Sequence, residues 1–264
     1  MLEIVGYIAA VFVGVVLGLL GGGGSILSIP ILVYLFNIEP VLASAYSLFI
    51  VGTTSLVGAV PKYREQLVSL RTGLVFGIPS IAAIFFTRSV IVPAIPEIVL
   101  QTDSFVLTKR LLILGVFALL MLFASVPMIR GKREITSQNR KFRTVLVMVE
   151  GTLIGFLTGF VGAGGGFLII PALVFLTGLQ FKAAVGTSLF IIAINSLIGF
   201  LGDVLYTPID WPLLLSLTAV AVAGIFIGNH YSRQVSQIRL RMAFGWLTLV
   251  TGIFILFKET GFLS

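Results

Sequence analysis

The sequence predicts an all-α membrane protein made of two related halves, each of about five helical segments. Three observations carry that prediction. Charged residues make up 10% of the 264 positions and hydrophobic ones 58%, whereas a soluble domain is about a quarter charged. Apolar runs approaching the roughly 20 residues a helix needs to cross a bilayer recur along almost the whole chain. Finally, the chain matches itself when shifted by 141 positions.

The self-match has no gap. GLLGGGGSILSIPILVYL (18–35) lies over GFVGAGGGFLIIPALVFL (159–176), and ASAYSLFIVGTTSLVG (43–58) over AVGTSLFIIAINSLIG (184–199). Apolar composition would repeat Leu and Ile by chance, but not the same Gly, Pro, Ser and Phe at one offset. A repeat of this kind has to be found early, because it sets the fold. It divides the chain into a first repeat (1–129), a basic connector (130–144) and a second repeat (145–264).

Taken in order, the apolar segments are 4–20, 25–37, 41–60, 72–92 and 109–129, then 145–161, 166–178, 183–201, 211–229 and 239–257. The connector RGKREITSQNRKFR (130–143) is too short to be a domain and carries six Lys/Arg. Placing it in the cytoplasm, and letting each segment change side, also puts loops 61–71 and 230–241 and Lys182 inside. That places 13 of the 17 basic residues on one side, the bias that orients membrane proteins. Glu3, Glu39, Glu97, Asp103, Asp203, Asp210 and Glu259 then fall outside, with both termini. The first residues, Met1, Leu2 and Glu3, lack the basic start of a signal peptide, so the first segment is expected to be retained. An odd number of segments per half inverts the second copy, an arrangement typical of secondary transporters.

Two segments are too short to span. Segments 25–37 and 166–178 each follow a glycine cluster, Gly21 to Gly24 in one half and Gly162 with Gly164 to Gly166 in the other. Such clusters permit left-handed backbone and close approach, so each short segment is expected to be the return arm of a re-entrant hairpin, with two full crossings the alternative. A helix starting there presents unpaired N–H groups and the positive end of its dipole. That makes Gly22, Gly23, Gly24 and Ser25, with Gly164, Gly165 and Gly166, a candidate anion site without a basic side chain. Tight packing by small residues is the competing reading. A nucleotide fingerprint is excluded, because neither cluster sits in a strand–helix unit with its acidic residue. The matching Pro30 and Pro171 are expected to kink the short helices.

The helices that follow carry small polar residues at matching positions: Ser47 with Ser188, Ser55 with Ser196, Thr54 with Asn195, Tyr46 with Thr187. Ser47, Ser55, Ser188, Asn195 and Ser196 are candidate hydrogen-bond partners of an oxyanion, or interhelical contacts. Ionisable residues within apolar segments are functional candidates by default. Glu150 is a candidate proton carrier, Arg88 a candidate anion gate and Lys182 a candidate anion receiver, each weighed against simple anchoring at the interface. With no cysteine and one histidine, thiolate metal sites, disulfides and His clusters are excluded. No metal, cofactor or catalytic residue is expected.

At GLLGGGGSILSIPIL, its copy GFVGAGGGFLIIPALV, AVGTSLFIIAINSLIGF and the closing run from PIDWPLLLSLTAVAVAGIFIG to LTLVTGIFIL, the chain resembles the TauE/SafE family of sulfite exporters. The resemblance covers about 5–60 and 145–257, and 97–143 only in character. It implies a multi-pass, cofactor-free exporter of sulfite or organosulfonates in the inner (cytoplasmic) membrane. The family often holds a histidine in the loop after the second polar helix; Asp203 stands near that place, so a mechanism using that histidine does not transfer. The expectation is an alternating-access secondary transporter, with a channel or a carrier of another small anion as alternatives. Expected partners are a small anion and the lipid bilayer, with nucleic acid excluded and a homodimer left open.

Overall fold

In the computed structural model, residues 2–102, 105–130, 144–161, 165–204 and 208–259 are described. Connector residues 131–143, Asp103, Gly162 and Gly164 lie outside them. The first half contains α1 (Leu2–Leu20), α2 (Gly23–Tyr34), α3 (Pro40–Arg64), α4 (Leu70–Phe86), a two-stranded hairpin of β1 (Ile98–Thr102) and β2 (Phe105–Thr108), and α5 (Lys109–Arg130). α4 continues through a π turn, Thr87–Ile91, to Ala94. The second half contains α6 (Thr144–Val161), α7 (Gly166–Ala172, continuing as a π turn Leu173–Thr177), α8 (Phe181–Val204), α9 (Trp211–Ser232) and α10 (Gln237–Glu259).

Seven of these helices are long and apolar enough to cross a membrane, and Val5–Leu20, Gly23–Tyr34 and Gly166–Phe175 form the shorter apolar set. The chain is therefore multi-pass. Every apolar segment read from the sequence is helical over most of its length, but several ends moved. α3 continues beyond 60, so Lys62 and Arg64 occupy its last turn rather than a loop. Cations there complement the negative end of the helix dipole. α8 likewise extends at both ends to take in Lys182 and Asp203. Caps set the starts of α3 and α9. Glu39 accepts from Val41 N and Leu42 N, and Asp210 from Leu213 N, meeting N–H groups a helix leaves unpaired.

The hairpin was not expected. Its stretch is too short to span a bilayer, and IVLQT and FVLT favour strand by their β-branched and aromatic content. Lys109 N donates to Glu97 O at 2.9 Å, closing the hairpin onto α5.

Glycines fix the helix packing. Gly14 and Gly18 of α1 lie against Ala221, Ile225 and Asn229 of α9, and Gly224 and Gly228 of α9 lie against Val11 and Val15. Gly151, Gly155 and Gly159 of α6 lie against Phe76, Ser80 and Ile84 of α4 in the same way. Adding 141 to Gly14 gives Gly155, and subtracting it from Ala221 gives Ser80. The two interfaces thus share one register after the halves are exchanged. Small residues let backbones approach closely where lipid offers no hydrophobic drive to association.

The equivalent helices α3 and α8 cross at the centre. Gly52 meets Leu197, Gly58 meets Leu189, and the Phe49 and Phe200 rings are 5.0 Å apart. As one index rises the other falls, so the two helices run antiparallel. α5 and α10 do the same, with Gly245 against Ile129 and Gly252 against Met121.

Candidate functional site

The first glycine cluster turns the chain back on itself. Gly21 adopts φ +64, and Gly22 caps α2 without any side-chain hydrogen bond. Gly24 then packs on Leu17 and the backbone of Val13, while Phe36 returns to lie against Gly6 and, edge-on at 6.2 Å, Tyr7. α2 is the return arm of a hairpin with α1. In the second half Gly165 takes φ +70 and α7 starts at Gly166, again without a side-chain cap. Gly165 packs on Thr158 as Gly24 packs on Leu17, the same pair of positions 141 residues apart.

The two turns meet. Gly22 and Gly166 are in direct backbone contact, so that a methyl group on either would overlap the other. Gly21 lies against Ser188 Oγ and Val185, and Gly166 against Ile192. No gap separates the turns in this conformation. Gly23 rests near Leu20 and Phe244.

α3 and α8 each turn one polar stripe inward. On α3 it runs through Ser44, Ser47, Thr54 with Ser55, Gly58 and Lys62, all buried and spaced by three, four or seven residues. That spacing keeps them on one face of a helix. On α8 it runs through Ser188, Asn195 with Ser196, Gly199 and Asp203, also buried. The antiparallel crossing sets Thr54 level with Asn195.

The candidate polar residues divide into two groups. Ser25 Oγ donates to Gly22 O at 2.6 Å, Ser188 Oγ donates to Val185 O at 2.8 Å, and Ser47 shares a 2.5 Å hydrogen bond with Ser28. These hydroxyls are engaged. Asn195 Nδ2 donates to Ser80 Oγ at 2.7 Å, but among the described residues Asn195 Oδ1 has no partner. Thr54 Oγ1, Ser55 Oγ, Ser196 Oγ and Thr158 Oγ1 have none either. A buried polar group left unmet costs about 1–3 kcal/mol, so four such atoms level with one another on two crossing helices need an explanation.

The charged candidates fall in three places. Arg88 sits in the π turn of α4 and is 2% exposed, which rules out anchoring at an interface. Its Nη2 donates to Ser44 Oγ at 2.8 Å and lies 3.1 Å from Asp203 Oδ2. Asp203, read from the sequence as an outer acidic residue standing where the family often has a histidine, is its counter-ion. Lys182 Nζ donates to Arg233 O at 3.4 Å and lines a pocket with Lys62 and Ser232. Glu150 is half-buried on α6, and among the described residues its Oε2 has no hydrogen-bond partner.

Sequence reasoning missed Ser28, Ser80, Thr158 and Lys62. Ser80 and Thr158 correspond to Ala221 and Leu17, so the repeat gave no signal for them. Lys62 did have a signal: it is 18 residues, or five helical turns, from Ser44.

The fold and these broken, glycine-started helices define a multi-pass membrane transporter. The profile of the family described as Sulfite exporter TauE/SafE matches residues 7–255, and the chain belongs to that family. It is 29% identical over 255 residues to a probable membrane transporter protein of Xylella fastidiosa, covering 94% of this chain and 92% of that one. It is also 25% identical to the probable membrane transporter protein YdhB of Bacillus subtilis, covering 92% and 96%. A probable membrane transporter protein of Methanocaldococcus jannaschii, MJ0441, is 25% identical, covering 97% and 94%. No solved structure matches the chain.

Proposed function

We propose that the chain is a secondary transporter that exports small sulfur oxyanions, sulfite or organosulfonates, across the cytoplasmic membrane by alternating access. The two repeats are inverted copies, the anion is held at the glycine turns, and one half moves against the other. The observation that carries this reading is the contact of Gly22 with Gly166, flanked by Ser188 Oγ against Gly21 and by Thr158 Oγ1, without a partner among the described residues, against Gly165; α3 and α8 add the buried Thr54, Ser55, Asn195 and Ser196. Two uncapped helix starts meet there, where an anion would find backbone N–H groups and hydroxyl donors together. The closed contact suits an occluded carrier better than a continuous pore, which weighs against an anion channel.

The antiparallel run of α3 and α8, and the shared register of α1/α9 and α6/α4, support the inverted arrangement. For sidedness, Lys62, Glu65, Lys182 and Arg233 gather at one end, which supports placing loops 61–71 and 230–241 on one side; we take that side, with connector 130–143, as cytoplasmic and both termini as outside. The cargo rests on the family. Gly22 to Ser25 and Gly164 to Gly166 contribute backbone contacts, Ser47, Ser55, Ser188, Asn195 and Ser196 side-chain contacts. Arg88 and Lys182 serve at the two approaches, and Glu150 carries a coupling proton.

The test is sulfite efflux from proteoliposomes with Ser55→Ala/Ser196→Ala. Efflux lowered about tenfold or more, the loss expected when charge-assisted hydrogen bonds are removed, supports the site. Unchanged efflux removes these residues from it.

A further inference from the structure

The α3 stripe ends in a lysine whose surroundings do not suit a purely structural role. Lys62 is 4% exposed, and Nζ donates to Ser232 Oγ at 2.6 Å. Ser232 in turn donates to Asn229 O. An ammonium has three donors, and a buried charge without a paired carboxylate is costly. The carboxylate within electrostatic reach is Glu65, and Arg233 already holds it, with Nε at 2.7 Å. Lys182 and Arg233 add positive charge to the same place. Three cations therefore face one carboxylate.

Lys62, Lys182 and Ser232, with Leu19, Val185 and Leu240, line a pocket of about 10 Å³, room for about one water. Val185 also touches Gly21, so the pocket adjoins the first glycine turn. The repeat supplies a contrast. Position 62 corresponds to 203, and position 88 to 229. At one end of the crossed helices the equivalent residue is Asp203, held 3.1 Å from Arg88. At the other end Lys62 Nζ donates to the neutral Ser232, which in turn donates to Asn229 O. One end is charge-compensated and the other is left cationic.

We propose that Lys62, with Lys182 and Ser232, forms a second anion-binding subsite at the approach to the glycine turns, where a small oxyanion replaces water when movement of one half against the other widens the pocket. The ammonium groups supply charge-assisted hydrogen bonds in a partly dehydrated setting, where each is stronger than in water. The subsite rests on the transport reading for its place on a path, but its recognition chemistry does not depend on the cargo being sulfite.

Calorimetric titration of the purified full chain with sodium sulfite, and in parallel with sodium sulfate and chloride, tests it. The variants are Lys62→Met, Lys62→Arg and Lys182→Gln, each with a melting temperature. Lys62→Met weakens sulfite binding about tenfold or more while Lys62→Arg retains most of it. The melting temperature of Lys62→Met stays at or above that of the parent, because an apolar side chain removes the desolvation cost of a buried charge. Unchanged binding by Lys62→Met overturns the subsite and leaves the transport reading standing. Loss of binding in both Lys62 variants together with a lower melting temperature makes the residue structural and also overturns it. Binding of sulfate but not sulfite, dependent on Lys62, supports the subsite and removes sulfite as cargo. A parent protein that binds none of the three overturns both.

Discussion

Ser55 and Ser196 bury hydroxyls that have no partner among the described residues, whereas those of Ser25, Ser47 and Ser188 are engaged. This difference separates stability from function residue by residue. Ser55→Ala and Ser196→Ala remove unmet polar groups, so each is expected to leave thermal stability unchanged or raise it by about 1 kcal/mol, while transport falls. Arg88 behaves in the opposite way. Arg88→Met leaves Asp203 buried without its counter-ion and is expected to cost about 3–5 kcal/mol. Adding Asp203→Leu recovers much of that, because both charges are then gone. Thermal melts of the single and double variants in detergent check this. At Glu150, whose Oε2 is buried and unpartnered, Glu150→Gln is expected to abolish the dependence of sulfite efflux on a pH gradient. Efflux that still follows the gradient removes Glu150 from coupling.

The helices were legible in the sequence because apolar length and the Gly–Pro repeat each mark them independently. The start of α7 at Gly166 and the pairing of polar positions on α3 and α8 followed from the offset of 141 alone. What stayed hidden has physical causes. The hairpin of Ile98–Thr108 lies outside the self-match, in a stretch where β-propensity has no competing helical length. The last turn of α3 was taken for loop because charge normally ends a span, yet a lysine stem can follow the helix into a buried position. Arg88 was placed by depth along its segment, which says nothing of its neighbours; the ion pair with Asp203 joins residues far apart in sequence. The shared glycine register makes an element-scale prediction. Gly14→Val and Gly155→Val are equivalent substitutions, and each would drive a side chain into the backbone of the facing helix. Overpacking of this kind costs about 1–3 kcal/mol or more, so similar losses in melting temperature are expected. A large loss in one and none in the other would break the equivalence of the two interfaces.

At the scale of the whole molecule, the two halves pack on each other through α1/α9 and α4/α6 in one shared register, cross through α3 and α8 and meet at Gly22 and Gly166. The ends of the crossing differ in charge, cationic around Lys62 and compensated at Arg88–Asp203. Because the chain has no cysteine, single cysteines report sidedness directly. Ser236→Cys is expected to react with an impermeant maleimide only from the cytoplasmic face, and Glu97→Cys only from outside. Carrier behaviour itself is tested by sulfite counterflow in proteoliposomes. Vesicles preloaded with unlabelled sulfite should transiently accumulate labelled sulfite above its external concentration, and Gly22→Val, which wedges the closed contact, should abolish that overshoot. Simple equilibration without overshoot, accompanied by unitary currents in a planar bilayer, would contradict alternating access and make the protein a channel.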